Sequence, residues 1–170
     1  SDTDHLIAVT GPRKPVSGIL PRNVQQTMAM DLLLDDDVRM VTLLGTAGSG
    51  KTLLAVASGM HRVISDQRYD RLLVSRPIMP LGRDIGYLPG DKEEKLSAWM
   101  GPIFDNLSYL LSTRGTGSPH AESKSPEQRM KQMLSEGQIV LEPLTYIRGR
   151  SIPHQYMIVD EAQNLTPHEV

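Results

Sequence analysis

Apolar and polar positions change period several times along the chain. Residues 1–22 sustain no period, and Pro12, Pro15 and Pro21, with Gly11 and Gly18 between them, predict an irregular lead-in. Asn23 supplies the side-chain oxygen of a helix N-cap. Val24, Met28, Leu32 and the pair Leu33 and Leu34 then recur at helical spacing, which predicts a helix to about Leu34. Asp35-Asp36-Asp37 ends it with a solvated acidic break, since acids are unfavourable near a helix C-terminus. Met40–Leu44 (MVTLL) has no polar face and predicts a strand buried on both sides, as in a parallel sheet. A Gly-rich turn, a helix from about Lys51 to Ser65 and a second such strand over Arg71–Ser75 follow. Strand, helix, strand is the βαβ unit of an α/β fold.

Further on, Pro77, Pro80, Gly82, Gly86, Pro89 and Gly90 punctuate a loop of a length that is usually functional. Helical spacing resumes from Asp91 through Leu96, Trp99, Met100, Ile103, Leu107 and Leu110, with Pro102 placed to kink or divide it. Ser112–Ser125 is nearly free of large apolar residues and predicts a flexible surface excursion. Pro126 opens a helix to about Glu136, and Ile139–Leu141 and Tyr156–Val159 predict two more strands. Thr166 and Pro167 announce a further helix. The expected organisation is a lead-in over 1–17 and one α/β domain over 18–170, incomplete at its C-terminus and part of a longer protein.

Composition narrows the function classes. A chain of 170 residues buries a full core without staples, and 39% apolar with 22% charged residues excludes disordered, collagen-like and coiled-coil chains. Twenty acids against 18 bases, a formal charge of −2, exclude a uniformly basic nucleic-acid coat but not a local basic groove. The absence of cysteine excludes disulfides, thiolate zinc sites and a cysteine nucleophile, and fits the reducing cytoplasm, which is the expected location. No apolar run long enough to span a membrane occurs, and the opening residues lack the basic-then-apolar pattern of a signal peptide.

Two motifs carry chemistry. Gly45-Thr46-Ala47-Gly48-Ser49-Gly50-Lys51-Thr52 fits G-x-x-x-x-G-K-[ST]. Glycines let backbone N–H groups approach phosphate oxygens without an intervening Cβ, and the helix that follows presents its positive end to the anion. Lys51 is expected to reach the β- and γ-phosphates and Thr52 to ligate Mg²⁺. A chance match arises in roughly one chain of this length in a hundred, but here the motif follows a predicted buried strand and opens a predicted helix. The second motif is Met157-Ile158-Val159-Asp160-Glu161-Ala162-Gln163-Asn164, an apolar strand ending in two carboxylates. Ligands of open α/β sheets sit beyond the carboxyl ends of strands. Asp160 is therefore expected to hold Mg²⁺ through water, Glu161 to orient and deprotonate the attacking water, and Gln163 to sense the γ-phosphate. The bland alternative is a helix N-terminal charge pair.

At these residues the sequence resembles the PhoH-like family of P-loop ATPases, most of all the ATPase half of proteins that fuse a PIN nuclease domain to a PhoH domain. The likeness runs from about Gly18 to Asn164. It rests on Gly18-Ile19 with Pro21-Arg22-Asn23 and Gln26, the phosphate loop, Ser75-Arg76-Pro77 with Leu81-Gly82, and Ile85-Gly86-Tyr87-Leu88-Pro89-Gly90 with Glu94-Lys95. Pro102 with Asp105-Asn106-Leu107, Arg148-Gly149-Arg150 and Asp160-Glu161-Ala162-Gln163-Asn164 complete it. The resemblance implies a RecA-like core related to superfamily 1 helicases, ATP hydrolysis, work on single-stranded RNA, and ring-shaped homo-oligomers. No PIN domain is present, so no nuclease role is implied. The family pattern also continues past Val170 with residues that complete the ATP site.

By analogy with the Q motif of those helicases, Gln26 would select adenine. Alternatively Asn23 is only a cap and Gln26 only solvated. Arg76, Arg83, Arg148 and Arg150 fall at predicted strand-end loops and could line an RNA backbone or reach ATP across a subunit boundary. The alternative is solubility and ion pairing, with Asp84, Asp91 or Glu142 as partners. His5, His61, His120, His154 and His168 show no metal-ligand spacing, the nine methionines suit core filling, and Trp99 is expected in the core. Two other readings stay open: a nucleotide-dependent scaffold or switch without motor action, and a small-molecule kinase, which the Asp-Glu pair argues against.

Overall fold

Three parallel strands organise the chain, for which the computed structural model describes residues 9, 11–77, 99–113, 124–147 and 149–167. In chain order the elements are helix α1 (Val24–Leu34), helix α2 (Lys51–Met60), strand β1 (Arg71–Arg76), helix α3 (Gly101–Thr113), helix α4 (Pro126–Ser135), strand β2 (Ile139–Pro143), the single turn α5 (Leu144–Ile147) and strand β3 (Gln155–Val159). The sheet order is β2-β1-β3. Leu73 lies opposite Val140 on one side and Met157 on the other, with both pairings parallel. This is the α/β architecture that the strand–helix–strand pattern predicts.

β1 is the central strand because Leu72–Ser75 offer no polar face except a hydroxyl, and all four are buried. That hydroxyl is satisfied: Ser75 Oγ donates to the Glu142 carbonyl at 2.9 Å. Helix α2 lays Leu54, Val56, Ala57 and Met60 over the sheet, where Leu72, Val74, Ile139 and Ile158 meet them together with Ile103, Leu107, Leu110 and Leu111 of α3. Each such side chain, fully buried, contributes about 1.5–3 kcal/mol. Close approach is set by Gly59, where a Cβ would stand 2.6 Å from Leu72 Cδ1 and 3.0 Å from Tyr156 Cδ1. Beyond Met60 the helix loosens into a π-helical turn, His61–Ser65. Helix α4 begins with a reciprocal capping box between Ser125 and Gln128, with Pro126 in the first turn where its missing N–H costs nothing. In α3, Pro102 likewise occupies the first turn; Trp99 is helical, Met100 is a turn and helix restarts at Gly101, so the run is divided there as expected.

Two expectations are corrected, and α1 takes a face that its spacing left open. Residues Met40–Leu44 pair with no strand among the described residues, and Met40 and Leu44 are 84% and 89% exposed. Burial on both sides needs cover on both faces; here only the alternate residues Val41 and Leu43 are partly covered. In α1 the core face is Met30, fully buried, with Ala29, Leu33 and Leu34 packed beside it, while Val24, Met28 and Leu32 face outward. Apolar residues line both sides of this helix, so spacing does not select a face. The acidic break is not merely solvated: Asp36 pairs with Arg62 and with Arg68 (2.9 Å), and Arg62, itself buried, also reaches Asp66 at 3.1 Å. Asn23 caps α1 as expected, accepting from the Gln26 N–H at 2.9 Å. Trp99 packs partly buried against the core, and Met30, Met60 and Met100 fill it, whereas Met28 and Met40 do not. The loop through Pro80–Gly90 with Tyr87, the helical start at Asp91 and Leu96, most of the Ser112–Ser125 excursion, the helix expected after Pro167, and His5, His120 and His168 lie outside the described residues.

The lead-in is ordered at its end. Val16 and Ile19 exchange backbone hydrogen bonds at 2.8 and 2.9 Å around Ser17 and Gly18, both in the left-handed region (φ 48° and 85°). Ser17 is buried and its hydroxyl donates to the Ala57 carbonyl of α2 at 2.9 Å, so the turn straddles the expected boundary at residue 17. A methyl on Gly18 would also lie 2.5 Å from Thr113 Oγ1. Gly18→Ala is therefore expected to cost about 2–4 kcal/mol. Gly137→Ala, at a similar φ of 68° but facing open space, should cost only about 1 kcal/mol. Thermal melts of the two variants check this; equal shifts would show that the Thr113 contact does not constrain the turn.

Tyr156 gives a pH signature. Its ring meets Tyr69 edge-on (centroids 5.4 Å apart, planes at 87°), and its hydroxyl donates to the Leu33 carbonyl at 3.3 Å. Burial above all, then Tyr69, pushes the phenol from 10.0 up to about 12, with Arg62 opposing. Folding thus favours the neutral phenol. Its contribution is complete below pH 10 and is lost as pH rises from 10 through about 12. Stability measured by denaturant at pH 9 and pH 11 should fall more steeply in the parent chain than in Tyr156→Phe.

Candidate functional site

The site forms where β1 and β3 end beside the start of α2. The loop before α2 is a surface turn, closed by the Ser49 N–H donating to the Thr46 carbonyl at 3.3 Å. Gly48 and Gly50 hold φ of 76° and 87°, values that L side chains adopt only with strain. Lys51 Nζ folds back over this turn and donates to the Gly45 and Thr46 carbonyls at 2.8 and 2.9 Å. The Ser49 hydroxyl is buried within the loop and has no protein partner.

The loop is braced by α1. Gln26 Nε2 donates to the Ser49 carbonyl at 3.1 Å, and Gln26 Oε1 accepts from the Arg22 N–H at 2.8 Å. A Cβ on Gly50 would come within 3.4 Å of the same amide nitrogen. Asn23 caps the helix that carries Gln26, so capping and placement beside the loop are compatible roles for the two residues.

Across the site stands the acidic pair. The Asp160 N–H donates to the Ser75 carbonyl at 2.9 Å, extending the β1–β3 ladder by one residue and fixing the direction of the side chain. Thr52 Oγ1 donates to Asp160 Oδ1 at 2.9 Å, a contact between residues 108 positions apart. Asp160 Oδ2 faces Arg76 Nε at 3.3 Å. Glu161 follows in the left-handed region (φ 56°), a strained conformation for a side chain with a Cβ, and is 43% exposed. The Gln163 side-chain amide donates to its carboxylate, and Arg76 Nη2 lies 4.0 Å away on the other side.

Of the predicted site residues, Gln26, the turn from Gly45 to Gly50, Lys51, Thr52, Arg76, Asp160, Glu161 and Gln163 converge on this corner. Arg150 does not; it pairs with Glu142 at 2.9 Å and is 57% exposed. Arg83 and Arg148 lie outside the described residues. Arg76 points inward to the acids, not out to solvent, and its Nη1 donates to the Trp99 carbonyl at 2.7 Å. That carbonyl is a participant that the sequence did not single out, since a backbone acceptor has no side-chain signature; the buried Ser49 hydroxyl belongs to the loop that the motif marked.

No cluster of three or more His, Cys, Asp or Glu occurs among the described residues. Any divalent ion here would be held by one carboxylate, one hydroxyl and oxygens from phosphate or water, the donor set that Mg²⁺ favours. The unpartnered Ser49 hydroxyl and the Thr52–Asp160 pair fit such an ion and its anion. Among the described residues, no helix is long and apolar enough to cross a membrane.

A glycine-rich turn opening a helix, with an acid from the end of a parallel strand at that helix's first turn, defines an α/β protein of the P-loop class. Comparison with known proteins names the branch: residues 18–170 match the model of the family described as PhoH-like protein, and the chain belongs to that family. It is 55% identical to Protein PhoH2 of Bacillus subtilis over 90% of its length, and 39% identical to Protein PhoH2 of Mycolicibacterium smegmatis over 92%. A PhoH-like protein of Bacillus subtilis is 35% identical over 75% of the chain. The chain spans about a third of these relatives: 32%, 33% and 35% of their lengths.

The Thr52–Asp160 bond should matter to folding by itself. Thr52→Val removes the donor to a largely buried carboxylate and is expected to cost about 1–3 kcal/mol, whereas Thr52→Ser should stay near the parent in denaturant unfolding.

Proposed function

We propose that the chain binds ATP with Mg²⁺ at this corner and that the protein of which it is part hydrolyses it. The observation that carries the reading is the Thr52–Asp160 contact at 2.9 Å, which brings the two expected metal-holding residues to one point. A bound Mg²⁺ would neutralise phosphate charge there, with Thr52 and Asp160 as its protein contacts. Lys51, now on two loop carbonyls, is within its own flexibility of a phosphate resting on the turn, and the Ser49 hydroxyl is a donor awaiting an acceptor. Glu161 is exposed enough to meet a water molecule and is steadied by Gln163, which suits a base that aligns the attacking water. Gln26, beside the turn, remains the candidate for contact with the base.

Single-stranded RNA is the proposed effector, supported by the family likeness and by exposed Arg150 in the loop before β3; assembly into a homo-oligomeric ring and a cytoplasmic location are proposed on the likeness and the composition. Lys51→Ala should abolish binding of a fluorescent ATP analogue. Glu161→Gln should retain binding but reduce phosphate release at least a hundredfold in a chain of the relatives' length, with and without RNA. Tight binding with negligible release in the parent protein would favour the switch reading instead.

A further inference from the structure

Among the described residues, Arg76 is the one basic side chain whose three guanidinium nitrogens all meet different acceptors at the corner: Asp160 at 3.3 Å, Glu161 at 4.0 Å and the Trp99 carbonyl at 2.7 Å. Its side chain is 16% exposed and that of Asp160 is 12%. A buried carboxylate needs each oxygen satisfied. Here the division is complete: Thr52 serves Oδ1 and Arg76 serves Oδ2. The Trp99 carbonyl, just ahead of α3, holds the guanidinium from behind, so its direction is set by the fold and not by the acids alone.

We propose that Arg76 is a positioning residue for the metal-bearing carboxylate: by occupying Oδ2 it turns Oδ1 toward Thr52, and its charge lets two adjacent acids stand beside a triphosphate. This deepens the nucleotide reading and rests on it. It also moves Arg76 from the expected RNA track to the interior of the site. A lysine would keep the charge but has no planar fork to span Asp160, Glu161 and a carbonyl together.

The test compares the full chain with Arg76→Met and Arg76→Lys, measuring the affinity of a fluorescent ATP analogue with excess Mg²⁺ and again in EDTA. Thermal melts establish that each variant is folded. The expected result for Arg76→Met is at least a tenfold loss with Mg²⁺ and less than a twofold change in EDTA, with Arg76→Lys between parent and Met. Should Arg76→Met fail to fold, Arg76→Lys alone should lose about threefold, in Mg²⁺ only. Equal losses in both conditions would mark a purely structural tie and overturn the proposal, as would unchanged nucleotide affinity with weakened binding of a single-stranded oligoribonucleotide. A parent chain that binds no nucleotide, like Lys51→Ala, would instead overturn the nucleotide reading, an outcome visible before any Arg76 variant is compared.

Discussion

One carboxylate, Asp160, holds the corner together. It is the first residue past β3, and its backbone still belongs to the ladder with β1, so its side chain leaves the sheet in a fixed direction. One oxygen takes the hydroxyl at the start of α2 and the other faces the guanidinium at the end of β1. Three elements therefore share one acid. Hydrogen bonds to a charged group in a poorly solvated place are worth more than their neutral equivalents, which makes this junction both a structural anchor and the place where added charge has the largest effect.

Around that anchor, among the described residues, the loop is supported by α1 and by its own lysine. Gln26 links α1 to the Ser49 carbonyl, and Lys51 satisfies two loop carbonyls that would otherwise face solvent. The turn is thus held by interactions that can be exchanged: an ammonium moves readily from carbonyl to phosphate, whereas backbone bonds within the sheet do not. Precise strands carrying a loosely latched loop would suit the proposed exchange of a highly charged nucleotide.

Most of this arrangement was legible in the sequence where composition is extreme. Leu72–Val74 and Met157–Val159 are apolar without interruption, and the positions of β1 and β3 follow. The glycines and Lys51-Thr52 mark the loop because few other chemistries require that spacing. Legibility failed where apolar residues do not choose a side. Helix α1 is apolar on both faces, so the spacing of Val24, Met28, Leu32, Leu33 and Leu34 marked a helix without choosing its buried side, and Met30 was the buried residue. Met40–Leu44 was read as a doubly covered strand from its composition, yet coverage belongs to neighbours and not to the segment. The partners of Arg76 were hidden for a related reason: its position at a strand end was evident, but whether it turned outward to a nucleic acid or inward to Asp160 depends on the distant arrival of β3 and of Trp99.

The absent side chain at Gly59 sets a lever. It allows α2 to rest directly on Leu72 and Tyr156, seven residues and about 10 Å of helix rise from Thr52. Because the far end of α2 is seated this closely, a bulkier residue there would tilt the rod away from the sheet and carry its tip outward with it. The tolerance of the loop end to mutation is consequently governed from the opposite end of the helix, at a position with no side chain at all.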